Sequence, residues 1–164
     1  MFWIHGGGNT SGVKDYYDFS ELIREHQVIV VTINYRLGPM GWFTHPAIQG
    51  LQNGIDKASN FGTLDIMEAL KWVQTNIQNF GGDPENITIF GESAGGNNVL
   101  SLLASPMGNG SLSQGNLSIR LYNKFYKGRG NWLKPKRQSS KSIRFRSSAF
   151  QLRLIWIWKN KKSL

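Results

Sequence analysis

Asn86–Ser105, "NITIFGESAGGNNVLSLLAS", decides how this chain is read. Its first residues, "NITIFG", are β-branched and aromatic, as in a strand covered on both faces. Its last residues carry Val99, Leu102 and Leu103 at helical spacing. Between them lies Gly91-Glu92-Ser93-Ala94-Gly95, a G-x-S-x-G pattern placed where a strand runs into a helix. A serine on so sharp a turn is held in a strained backbone conformation, with small neighbours that let adjacent segments approach. Its hydroxyl is lifted above the sheet at a helix N-terminus, where free N–H groups and the helix dipole favour developing negative charge. Alone the pattern is weak, because Gly and Ser are common. The strand, the helix and a second motif give it weight.

Working outward, Met1–Ile4 is a short apolar run closed by His5-Gly6-Gly7-Gly8, which predicts a buried strand ending in a tight loop. Val28–Ile33, "VIVVTI", predicts a second buried strand, and Ser20–His26 a short helix with Ser20 as its N-cap. "TLDIMEALKWVQTNIQNFGG" puts Leu64, Met67, Leu70, Val73 or Trp72, and Ile77 on one helical stripe stopped by Gly81 and Gly82. Strands alternating with helices predict an α/β fold with a mainly parallel sheet and flanking helices. The glycine loop is the second motif. Acyl transfer needs N–H donors aimed at a tetrahedral oxyanion, and an HGGG-type loop supplies them opposite this elbow. A phosphate-binding loop or a plain turn is the alternative, but "HGGG" lacks the P-loop lysine and does not open straight into a helix.

These stretches together resemble the type-B carboxylesterases, the cholinesterase-like branch of the α/β-hydrolase fold. The matching segments within residues 1–110 are "FWIHGGG", "VIVVTINYRLGPMGWF", "NFGTLDIMEALKWVQTNIQNFGGDPENITIFGESAGG" and "LLASPMGNG", in the family's order. The wording "GGNNVLSLLASP" resembles bacterial members more than animal ones. The resemblance implies a partial α/β-hydrolase fold and hydrolysis of small-molecule carboxylic esters through an acyl-enzyme, with no cofactor and no metal. It implies Ser93 as nucleophile and the backbone N–H groups of Gly7, Gly8 and Ala94 as the oxyanion hole. Arg36 and Asp65 match a pair that forms a structural salt bridge in such enzymes. Glu92 matches a member of the pocket's hydrogen-bonding network, a simple structural carboxylate being the other reading.

The sequence departs from the family in two respects. Asn9 follows the glycines where an aromatic residue is commoner, which is expected to alter the mouth of the acyl pocket. More seriously, the triad order is Ser, then Asp or Glu, then His, and no acid or histidine follows Ser93. Of the three histidines, His5 belongs to the oxyanion loop, His26 ends a surface helix and His45 lies in a long polar loop. A serine without a base is a poor nucleophile, so little activity is expected of this chain alone.

The remaining residues change sign. Up to Gly110 the chain carries five Lys and Arg against ten acids, whereas Ser111–Leu164 carries fourteen basic residues and no acid. The sum is a formal charge of +9. A basic tail with interleaved Tyr122, Phe125, Tyr126 and Trp132 could bind nucleic acid, and "FQLRLIWIWKNKK" could lie on an anionic membrane. A shift of reading frame explains more. Codons for Ser111–Arg120, "SLSQGNLSIR", can be chosen so that a start one base later spells L-Y-H-K-A-I-S-V-S-G, the family's usual continuation. Gln114 followed by Gly115 then forces a Lys or Arg codon in that frame. Residues 1–110 are therefore expected to be the central segment of a hydrolase domain, and 111–164 an out-of-frame basic tail with no nucleic-acid partner. The start at Met1, directly in a strand, suggests an internal start. There is no signal-peptide pattern, no apolar run of about 18 residues that could span a membrane, and no cysteine. Localisation and oligomeric state stay open, as does the alternative of a non-catalytic binding protein on the same fold.

Overall fold

In the computed structural model, residues 1–105 are described in full, together with the backbone of three later strands. The readings made for the basic tail fall outside the described residues apart from those strands. Four strands run parallel: β1 (Phe2–Ile4), β2 (Val30–Asn34), β3 (Thr88–Gly91) and β4 (Ser118–Ile119). β5 (Lys141–Arg146) and β6 (Gln151–Trp156) pair antiparallel, and β6 pairs antiparallel with β2. The sheet order is β4-β3-β1-β2-β6-β5.

β1 is central, and its sequence explains why. Phe2 and Ile4 are apolar on one face and Trp3 on the other, and all three are buried. Phe2 stands in register with Val31 of β2 and Ile89 of β3. This row, with Ile4 and Ile33, packs under α4 (Phe61–Asn76) and α5 (Ala94–Ala104) through Ile66, Leu70, Val73, Val99 and Leu102. On the opposite face Val30 and Phe90 pack with Ile23 of α1 (Ser20–His26). Trp3 there meets Tyr17, Phe19 and Phe90 ring to ring. The result is a mainly parallel sheet with helices on both faces.

Several details differ from the sequence reading. β2 begins two residues later than expected, at Val30. Ser20 does not cap α1. Phe19 holds the cap position, and the Asp18 carboxylate accepts from the Ser20 N–H at 2.9 Å, closing a local turn ahead of the helix. The residues around His45 are not a plain loop: α2 (Pro39–Trp42), α3 (Pro46–Leu51) and a 3₁₀ turn (Gly54–Ala58) fill the connection. Each of these two helices starts on a proline, whose fixed φ suits a first helical turn. Leu103 lies off the buried stripe of α5 and is 41% exposed. The α4 stripe ends in a 3₁₀ turn (Ile77–Phe80) stopped by Gly81 in the left-handed conformation.

Candidate active site

β3 ends at Gly91 and α5 begins at Ala94, leaving only Glu92 and Ser93 to turn the chain. Ser93 takes φ 53° and ψ −121°, a conformation that costs a non-glycine residue of order 1–3 kcal/mol. The turn is held by the Gly95 N–H donating to the Glu92 carbonyl at 2.8 Å and the Asn97 N–H donating to the Ser93 carbonyl at 3.1 Å. The Ser93 side chain is exposed at the N-terminal end of α5, and its hydroxyl makes no hydrogen bond among the described residues.

The glycine loop leaves β1 beside this turn. Gly6 lies so close that a Cβ there would stand 3.0 Å from the Ser93 Cβ and 2.7 Å from the Glu92 carbonyl oxygen. Beyond it, Gly7 (φ 109°), Gly8 (φ 64°) and Asn9 (φ 59°) turn through positive φ in succession. The Gly7 carbonyl points back into the loop and accepts from the Thr10 and Ser11 N–H groups at 3.1 and 3.0 Å. The Gly7, Gly8 and Ala94 N–H groups have no partner among the described residues.

The Glu92 carboxylate also lies against the loop, 2.6 Å from where a Gly6 Cβ would stand, and the same oxygen accepts from the Tyr17 hydroxyl at 3.0 Å. Burial, together with this carboxylate, pushes the Tyr17 hydroxyl up to about 12, so it stays protonated and donates. Arg36 and Asp65 meet at the far end of β2. The guanidinium donates from Nε to Oδ2 at 2.8 Å and from Nη2 to Oδ1 at 2.7 Å, and the Arg36 backbone N–H adds a third bond at 2.9 Å. The Asp65 side chain is 2% exposed and that of Arg36 41%. This fork ties the exit of β2 to α4, and the Asp65 carboxylate raises the Arg36 pKa. Asp65→Ala is expected to cost roughly 2–4 kcal/mol, less than a fully buried pair because the arginine can return to water. Urea denaturation would read this loss.

No histidine meets Ser93 among the described residues. His5 is buried and stacked on Tyr35, whose hydroxyl donates to the His5 carbonyl at 2.6 Å. Its Nδ1 donates to the Gly6 carbonyl at 2.8 Å, which leaves Nε2 unprotonated, buried and without a partner. Burial lowers the His5 pKa, with the bond to Gly6 opposing it, so the ring stays neutral and braces the loop. His45 caps α3, accepting from the Ala47 N–H at 3.2 Å. His26 is exposed at the end of α1. No group of three or more metal-ligating side chains occurs among the described residues, and no helix there is long and apolar enough to cross a membrane.

Sequence reasoning missed Asn98. This α5 side chain is 4% exposed, and its Nδ2 donates to Asn9 Oδ1 at 2.9 Å, while Asn9 Nδ2 donates back to Asn98 Oδ1 at 3.4 Å. A polar residue in an apolar helical stripe was the available signal, because a buried amide requires a partner. Asn9, noted for standing where an aromatic is commoner, turns its amide to α5.

Comparison with known proteins bears on the family and the fold. The sequence model of the carboxylesterase family matches residues 1–117. Fumonisin B1 esterase of Sphingopyxis macrogoltabida is 46% identical over 117 residues, covering 70% of this chain and 21% of that protein. Cocaine esterase of Oryctolagus cuniculus is 51% identical over 110 residues, covering 67% and 19%. Para-nitrobenzyl esterase of Bacillus subtilis (strain 168) is 47% identical over 112 residues, covering 67% and 22%. A solved thermophilic PNB esterase superposes with a TM-score of 0.60 at 46% identity, covering 67% of this chain and 22% of that one. The chain thus spans about a fifth of the length of the curated relatives it matches. With the family's pattern running through most of the chain and relatives near half identical, the chain belongs to the carboxylesterase family.

Proposed function

We propose that this chain carries the nucleophile and oxyanion-binding parts of a carboxylic ester hydrolase acting on small-molecule esters. The observation that supports this best is the strained, exposed Ser93 on a strand-to-helix turn, with the glycine loop packed directly against it. In this reading the Ser93 hydroxyl oxygen attacks the ester carbonyl carbon while a base takes its proton. The carbonyl π pair moves onto oxygen, and the Gly7, Gly8 and Ala94 N–H groups receive that charge. Collapse expels the alcohol oxygen, which takes up the proton, and leaves the acyl group on Ser93. Water then repeats the sequence and releases the acid. Arg36 and Asp65 hold the scaffold, and Glu92 with Tyr17 packs the elbow beside Gly6.

No His, Asp or Glu follows Ser93, and none of the three histidines before it hydrogen-bonds to Ser93 among the described residues. In this reading no described residue serves as the base. An exogenous base tests the reading, because the exposed serine is open to a small molecule. The purified chain is mixed with p-nitrophenyl acetate, with Ser93→Ala as blank. Without imidazole the two proteins should release p-nitrophenol equally slowly. With imidazole the parent chain should exceed the blank. Equal rates at every imidazole concentration would remove Ser93 from the reaction.

A further inference from the structure

The expected oxyanion donors come from two separate segments, Gly7 and Gly8 from the loop after β1 and Ala94 from the start of α5. Pairing between β1 and β3 ends at Ile4 and Gly91, so the sheet does not fix the loop beyond that point. Apart from the bond its Asn9 carbonyl accepts from the Gly38 N–H, the loop's main-chain bonds are local: the Thr10 and Ser11 N–H groups and hydroxyls all return to the Gly7 carbonyl. Glycines at consecutive positions leave such a segment free to move.

We infer that Asn9 and Asn98 form a positioning pair that sets the oxyanion loop against the helix carrying the nucleophile. The inference rests on the reading of Ser93 given above. Asn98 lies five residues past Ser93 on α5, is 4% exposed, and reaches across 89 residues of sequence to Asn9. The two amides exchange hydrogen bonds at 2.9 and 3.4 Å, the one side-chain hydrogen-bonded link between the loop and α5 among the described residues. Asn9 is suited to the place, since asparagine tolerates the left-handed conformation that φ 59° requires. Its carbonyl also accepts from the Gly38 N–H at 2.6 Å, so one residue ties the loop to α5 and to the turn after β2. A bidentate link of this kind fixes both the distance and the angle between the two donor segments. Misplacement of a reacting group by about 1 Å can cost on the order of 10²-fold in rate.

The test uses the full 164-residue chain and two readouts: hydrogen exchange at the Thr10, Ser11 and Gly38 amides, which donate to the Gly7 and Asn9 carbonyls, and the imidazole-dependent, Ser93-dependent release of p-nitrophenol. Asn98→Ala should speed exchange in the loop about 10-fold and lower the rescued rate by at least about 10-fold, with exchange at Val31 and Ile33 unchanged. The amide pair also predicts a result that packing alone does not. Asn98→Leu keeps a side chain of similar size at the buried position but can neither donate to nor accept from Asn9, and should behave like Asn98→Ala. Loop exchange and rescued rate unaltered in Asn98→Ala, with rescue intact in the parent chain, would overturn the inference alone. Loop protection and rescued rate retained in Asn98→Leu would reduce the pair to packing and also overturn it. Absence of rescue in the parent chain would overturn the nucleophile reading, and the positioning role with it.

Discussion

Gly95→Ala is expected to lower the stability of the chain by about 3 kcal/mol and to remove the imidazole-rescued activity with it. A Cβ at this position would collide with the Ile4 main-chain oxygen and stand 2.8 Å from that of His5. These are backbone atoms of the central strand and its exit, so no side chain can swing aside. The helix must move away from the sheet, carrying Ala94 and Ser93 off the glycine loop. The approach is close on both sides of the elbow, since a Cβ on Gly91 would stand 2.5 Å from the Gly95 carbonyl carbon. Gly50→Ala on α3 is the control. Nothing lies within 4 Å of a Cβ there, so the change should be neutral or slightly stabilising. A shift of the urea midpoint in Gly95→Ala and none in Gly50→Ala would separate close packing from a general effect of glycine loss.

The second large effect is expected at Gly7, and it falls on rate rather than on stability. Gly7 takes φ 109°, a conformation that side-chain-bearing residues rarely adopt, and a Cβ there would strike the Ser11 carbonyl. Gly7→Ala must therefore re-route the loop and turn the Gly7 and Gly8 N–H groups away from Ser93. Loss of one oxyanion donor typically costs about 10²–10³ in rate, and the rescued release of p-nitrophenol should fall by that factor. The loop is exposed and can relax into solvent, so the urea midpoint should move far less than in Gly95→Ala. A comparable loss of stability in both variants would mean that the loop supports the core instead of serving the nucleophile.

Much of this architecture was legible in the sequence because the two strands at the centre of the sheet, β1 and β2, are apolar on both faces almost throughout. "MFWI" and "VIVVTI" are apolar on both faces but for Thr32, "NITIFG" carries Ile87 and Ile89 on one face, and each is closed by turn residues. The elbow was legible for a related reason: small residues on either side of Ser93 make sense only where backbones approach closely. The connection from Leu37 to Asn60 was not legible. Its helices and turn are only one or two turns long, too short to show a periodicity, and Met40, Phe43, Leu51 and Ile55 remain exposed on them. The cap of α1 was misplaced because Asp18 and Ser20 both favour that role, and only geometry shows that Ser20 sits inside the first turn. The bond of Tyr17 to Glu92 spans 75 residues with no local pattern to announce it, and that of Asn98 to Asn9 spans 89, its local signal no more than a polar residue in an apolar stripe.

The most direct test of the central claim is to look for the acyl group itself. The chain is treated with p-nitrophenyl acetate and imidazole, digested, and the peptide containing Ser93 is examined by mass spectrometry. The expected result is acetylation of Ser93 when imidazole is present, little in its absence, and faster loss of the acetyl group as imidazole concentration rises. Acetyl groups found on lysines but never on Ser93, while ester hydrolysis proceeds, would contradict the assignment of Ser93 as the nucleophile.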